Sequence, residues 1–199
     1  MKGAGEKIVI CICGMTGCGK STVAKRLAEK YGLRHVSGGD ALKALAIEAG
    51  YRPVERGWWT TEQGLNFHRK RVEDLQFDQK VDKELIEWAS QGNVVIDSWT
   101  MPWLLKNGFK IWLGASPEKR AKRLIKRDNL SFRKALNVLK EKDEKSKITY
   151  KKSYGFDLGE DFSPFNLIVD TNELTADEVF DTLCIAVDHV YLKKGSSKS

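Results

Sequence analysis

Residues 14–21 read Gly14-Met15-Thr16-Gly17-Cys18-Gly19-Lys20-Ser21, a full match to GxxxxGK[ST]. What flanks this motif limits the folds open to the chain. Ile8-Val9-Ile10-Cys11-Ile12-Cys13 is an unbroken β-branched and cysteine run, the pattern of a strand buried on both faces. Val23 to Tyr31 then shows helical spacing, with Val23, Ala24, Leu27, Ala28 and Tyr31 on one face and Gly32 at the end. Strand, glycine turn and helix in this order form a phosphate cradle. The glycines turn backbone N–H groups inward, and the helix N-terminus adds its positive dipole end. Gly14, Thr16, Gly17, Cys18, Gly19, Lys20, Ser21 and Thr22 are thus expected to hold a nucleoside triphosphate. Lys20 can reach the β- and γ-phosphates, and the Ser21 hydroxyl can ligate Mg²⁺.

The rest of the chain repeats the alternation. Arg34 to Ser37 is strand-like, and Asp40 is expected to cap a helix from Ala41 to about Ala49, stopped by Gly50. Asn93 to Asp97, Lys110 to Leu113 and Leu167 to Val169 read as further strands. Pro117 starts a helix, and Thr175 with Glu178 forms a capping box for another running to about Leu192. These patterns predict an α/β fold, a parallel sheet of five strands flanked by helices. Two stretches leave that core. Gly50 to Gly92 holds Trp58, Trp59 and a polar helix, and about 128–164 is dense in charge. The 199 residues, 41 % hydrophobic, suit one domain over 1–192 and exclude a disordered chain; 193–199 reads as a disordered tail.

Asp97 ends a buried strand beside the loop strand. It can hold Mg²⁺ through water or cap a turn, and the phosphate loop favours the metal role. Cys18 lies inside the loop, either as a reactive thiol or as a space-filler. Cys11 and Cys13 read as buried structural thiols, and the four cysteines form no disulfide framework. No stretch approaches the ~20 apolar residues of a membrane span. A cytoplasmic protein without a membrane partner is expected, as monomer or homodimer.

The sequence resembles the nucleoside-monophosphate kinases, most closely the archaeal-type cytidylate kinases. The likeness runs in order from about Ile8 to Val187. It covers the phosphate loop, Val36-Ser37-Gly38-Gly39-Asp40, Asn93 to Asp97, Lys110-Ile111-Trp112-Leu113, Arg120 to Arg127, Tyr154-Gly155-Phe156-Asp157 and Leu167 to Thr171. The resemblance implies a P-loop NTPase core, an acceptor-binding subdomain at about 38–92 and a lid at about 128–164. It implies transfer of the ATP γ-phosphoryl group to a nucleoside monophosphate, with CMP favoured and Mg²⁺ required. By position, Arg123 resembles the arginine against the ATP base, and Arg127 one that contacts the transferring phosphoryl group.

Departures cluster on the acceptor side. Lys43 and Trp99 stand where that family has arginines, Lys140 and Lys142 replace lid arginines, and Thr149 replaces another. Leu85 stands where a polar residue would read the base, and the segment from Val54 to Phe67 looks inserted. Lysine binds phosphate as a point charge, without the arginine fork. Asp40, Lys43, Asp97 and Trp99 remain the acceptor-side candidates, with Lys20, Arg127, Lys140 and Lys142 as catalytic ones. Trp58, Trp59, Trp99 and Trp103 could stack a flat acceptor or pack the insertion. Asp78 and Asp82, four apart on one helix face, could contact substrate or face solvent. A solvated face is expected for Arg120, and no role is assigned to His35, His68 or His189. An acceptor of another chemistry, such as an alcohol, and a weakly catalytic ATP-binding module stay open.

The formal charge of +7 and pI near 9.2 raise the question of nucleic acid. Residues 118–152 hold 14 Lys and Arg against five Asp and Glu. The other residues together are slightly acidic, so the charge sits in one segment suited to clamping a triphosphate. A polyanionic partner is disfavoured.

Overall fold

The structure, a computed structural model, describes residues 7–53 and 57–192. The expected tail at 193–199 and the first residues of the insertion lie outside them. Five strands form one parallel sheet: β1 (Val9–Cys13), β2 (Arg34–Ser37), β3 (Val94–Asp97), β4 (Phe109–Gly114) and β5 (Leu167–Asp170), in the order β2-β3-β1-β4-β5. Successive side chains of a strand point to opposite faces, so β1 feeds two cores. Ile10 and Ile12 pack with Val95, Ile111 and Leu113 under α1 (Lys20–Tyr31). Val9 and Cys11 pack with Val94 and Ile96 on the other face. Ile10, Ile12 and Leu113 are fully buried, each stabilising the sheet by about 1.5–3 kcal/mol.

The helix α1 begins at Lys20, at the loop itself, and Gly32 closes it in the left-handed conformation. Next, α2 (Gly38–Glu48) starts earlier than the sequence suggests, and its cap is the Ser37 hydroxyl, which accepts from the Asp40 N–H. Asp40 falls in the first turn, where its charge still complements the dipole. Among the described residues, the excursion after Gly50 holds a 3₁₀ turn (Trp58–Thr60) and two α-helices, α3 (Glu62–Glu73) and α4 (Gln76–Gln91). A short α5 (Met101–Leu104) follows β3, and the Pro117 start holds for α6 (Pro117–Asp128).

The charged stretch forms a single 23-residue helix, α7 (Phe132–Tyr154), packed against α6 and α3. The capping box at Thr175 and Glu178 opens α8 (Ala176–Val187), which stops short of the expected Leu192 and passes into a π-type turn. No helix of the described residues is long and apolar enough to cross a membrane.

Register places the chemistry. Ile12 pairs with Asp97, and Ser37 pairs with Asp97 from the other side. The ends of β1, β2 and β3 therefore emerge together, and the phosphate loop, Asp97 and the start of α2 share one rim of the sheet.

Candidate active site

Gly14 leaves β1 at φ +145°. A Cβ there would collide with the Leu113 carbonyl oxygen and lie 2.7 Å from Cys18 Sγ, so the turn requires glycine. Cys18 is itself buried in the core, which supports a filling role. Burial pushes the Cys11 thiol up to about 12 and raises Cys13 as well, so both are neutral packing groups.

Residues Gly17 to Thr22 form one wall of a cavity of about 660 Å³. Lys20 Nζ donates to the Met15 carbonyl at 3.4 Å and lies 5.5 Å from the Trp99 ring centre. The Ser21 hydroxyl donates to the Asp97 carboxylate. Two hard oxygen groups thus meet at the cavity wall, the donor chemistry that Mg²⁺ prefers.

Three arginines of α6 approach the phosphate loop, and two of them, Arg123 and Arg127, line the cavity. Arg123 donates to the Cys18 carbonyl at 3.0 Å and to the Thr171 carbonyl at 2.7 Å, fixing its guanidinium between the loop and the end of β5. Arg127 makes a two-pronged pair with Asp128 at 2.7 and 2.8 Å, and Asp128 also accepts from the Thr60 hydroxyl. Burial would raise the Asp128 carboxyl, but Arg127 and Thr60 outweigh it and hold it below the usual range. The solvated face expected for Arg120 is not found. Arg120 is buried and donates to the Thr16 carbonyl at 3.1 Å and to Asp143 at 2.8 Å, joining the phosphate loop to α7. Its position one turn before Arg123 on the inward face explains the difference.

From α7, Lys142 enters the same cavity. Its ammonium lies 5.3 Å from the Trp59 ring centre. Burial, then the cations Arg127, Lys20 and Arg71, push it down to about 7. Lys140 points elsewhere: it is exposed and lines a second cavity with Trp112 and Phe162, because two residues along a helix turn the side chain by about half a circle.

The far end of the cavity is polar and buried. Arg71 of α3 forms a buried fork with Asp78 of α4, at 3.0 Å through Nε and again through Nη2, which also donates to the Tyr150 hydroxyl at 3.2 Å. His68 Nε2 lies 3.4 Å from Arg71, and burial with the cations Arg71 and Lys142 holds His68 well below its usual range. Asp82, one turn after Asp78, accepts from the Thr100 and Tyr154 hydroxyls. Burial raises it to about 6 against those two hydrogen bonds. The solvent-facing alternative for Asp78 and Asp82 is therefore excluded.

Of the acceptor-side candidates, Asp97 and Trp99 line the cavity, while Asp40 and Lys43 do not. Asp40 is exposed, 4.0 Å from Lys43. Leu85 is packed in the core beneath α4. The tryptophans divide between both expected roles. Trp58 is buried and Trp103 stacks on Phe156 at 4.0 Å, whereas Trp59 and Trp99 face the cavity. Sequence reasoning missed Arg71, His68, Thr100, Tyr150 and Tyr154. The tyrosines carried a signal, since 150 and 154 repeat the spacing of 78 and 82.

A glycine-rich loop between the central strand of a parallel sheet and its first helix, with basic residues closing over it, defines a phosphate-loop kinase fold. Solved structures agree on that fold. Shikimate kinase from Bacteroides thetaiotaomicron superposes with a TM-score of 0.56 at 14 % identity, covering 93 % of this chain and 98 % of that one. Deoxyadenosine kinase from M. mycoides gives 0.54 at 16 %, covering 91 % and 100 %. Residues 9–173 match the cytidylate kinase-like family, and the chain belongs to it. Cytidylate kinase of Methanocaldococcus jannaschii is 35 % identical over 188 residues, spanning 92 % of this chain and 99 % of that protein. Cytidylate kinase of Pyrococcus horikoshii is 33 % identical over 186 residues, spanning 93 % and 91 %.

Proposed function

We propose that this chain transfers the γ-phosphoryl group of ATP to a nucleoside monophosphate, with CMP the favoured acceptor. One observation carries the reading. A single cavity runs from the phosphate loop to a buried polar end built by α3, α4 and α7, so donor and acceptor can lie end to end. The likeness to archaeal cytidylate kinases over nearly the whole chain supports the same acceptor class.

The loop N–H groups and Lys20 would hold the triphosphate, and Arg123, by its likeness to the family's base-side arginine, would lie against the adenine. Ser21 and Asp97 would hold Mg²⁺, which when bound neutralises phosphate charge. Arg127 and Lys142 line the same cavity and would stabilise charge that spreads over the phosphoryl oxygens. Lys140, also expected as a catalytic cation, lines the second cavity instead. In-line transfer needs positioning and no covalent intermediate with the protein. Residues from about 38 to 92 serve as the acceptor-binding part, and about 128 to 164 as the part that closes over it and excludes water.

The deep carboxylates favour a second reading, in which the acceptor is an alcohol whose hydroxyl Asp78 or Asp82 receives. ADP release measured across CMP, UMP, AMP, dCMP and a set of sugar and carboxylate alcohols separates the two. The proposal expects a strong preference for CMP and loss of activity in Lys20→Ala. A preference for an alcohol, or full activity in Lys20→Ala, overturns it.

A further inference from the structure

Two pairs of residues meet across the acceptor end in matched register. Asp78 and Asp82 are one turn apart on α4, and Tyr150 and Tyr154 are one turn apart on α7. Tyr150 donates to Asp78 at 3.3 Å, and Tyr154 donates to Asp82. Both carboxylates are buried and further pinned, Asp78 by the Arg71 fork and Asp82 by Thr100. The rungs of this ladder are therefore fixed on the α4 side.

The same face of α7 continues upstream at four-residue spacing. Lys142, Ser146 and Tyr150 are buried in succession, with Tyr154 half-buried after them. Lys142 thus enters the cavity lined by the phosphate loop, among Arg127, Lys20 and Arg71, from the helix that further along is bonded to the two carboxylates. The span between Lys142 and Tyr154 is about 18 Å along the axis, at 1.5 Å per residue. An unbroken helix transmits a displacement over that length with little loss.

We propose that Tyr150 and Tyr154 are positioning residues, which bond Asp78 and Asp82 to set α7 and so hold Lys142 in the cavity that the phosphate loop lines. The inference rests on the kinase reading, since it assigns the two ends to acceptor and donor. The carboxylates thereby decide where the Lys142 ammonium stands among Arg127, Lys20 and Arg71.

The test is a double-mutant cycle in steady-state phosphoryl transfer from ATP to CMP. Tyr154→Phe is made alone and in a Lys142→Met background, with Tyr150→Phe as a second, independent probe should Tyr154→Phe fail to fold. The single variant is expected to lose about 10–100-fold in kcat with KM for ATP within about twofold. In the Lys142→Met background the same substitution should change kcat by less than about twofold, because the cation it positions is gone. Equal losses in both backgrounds mean a merely structural role and overturn the inference, as does no loss in the single variant. If the wild-type chain phosphorylates an alcohol but no nucleoside monophosphate, the functional reading fails separately and the cycle is run on that alcohol. If it transfers phosphate to nothing, both fall together.

Discussion

The Ser21 hydroxyl donates to the carboxylate of Asp97, joining the first turn of α1 to the end of β3. Register brings the two close, since Asp97 pairs with Ile12, just before the loop that leads to Ser21. Under the proposed function, the pair would present oxygen ligands for Mg²⁺ beside a bound triphosphate. Ser21→Ala and Asp97→Asn should each lower kcat/KM by about 10–100-fold. Both should also raise the Mg²⁺ concentration that gives half-maximal rate. A metal titration of initial rates reads both, and an unchanged titration curve removes the assignment.

Lys142 gives a pH signature. Its ammonium is buried among Arg127, Lys20 and Arg71 and pushed down to about 7. A polyphosphate favours the charged form. Below pH 7 the free protein already carries that charge; above it, binding must take up a proton. ATP affinity should then fall as pH rises, by up to about tenfold per unit. Calorimetry in buffers of different ionisation heat should show proton uptake near pH 8. Lys142→Arg, which stays charged, should abolish the uptake.

The Arg71–Asp78 fork is nearly inaccessible to water. Removing one partner strands the other charge. Arg71→Met should lower stability by about 3–5 kcal/mol in urea denaturation. Replacing both, as Arg71→Met with Asp78→Leu, should lower it by less, because no charge is left unpaired. A double variant less stable than either single one contradicts this.

Arg123 is fixed by carbonyls of the loop and of Thr171. A base resting on it loses a flat cationic surface in Arg123→Ala. The KM for ATP should rise about tenfold, with kcat within about threefold. Lysine lacks the plane, so Arg123→Lys should restore little.

The donor half was legible because its chemistry is local. The loop, its strand and its helix are consecutive, and glycine and lysine at fixed offsets have few other uses. The five-stranded parallel sheet with helices on both faces followed from the hydrophobic runs, whereas the strand order is set by packing. The acceptor half was hidden because it is assembled from α3, α4 and α7, and no local pattern shows which face of a polar helix is buried. Asp78 and Asp82 were seen as a pair, yet only packing distinguishes a pocket from a solvated face. Arg120 was misjudged for the same reason, since its inward turn depends on where α7 lies. Lys140 and Lys142 look equivalent in sequence, and helix rotation alone separates them.

The ammonium groups of Lys20 and Lys142 lie 5.5 and 5.3 Å from the indoles of Trp99 and Trp59. These contacts make the cavity its own optical reporter. A phosphate that draws the two cations toward itself changes the field over both rings, and with it their emission. Filling of the cavity can thus be followed by intrinsic fluorescence in the unlabelled chain.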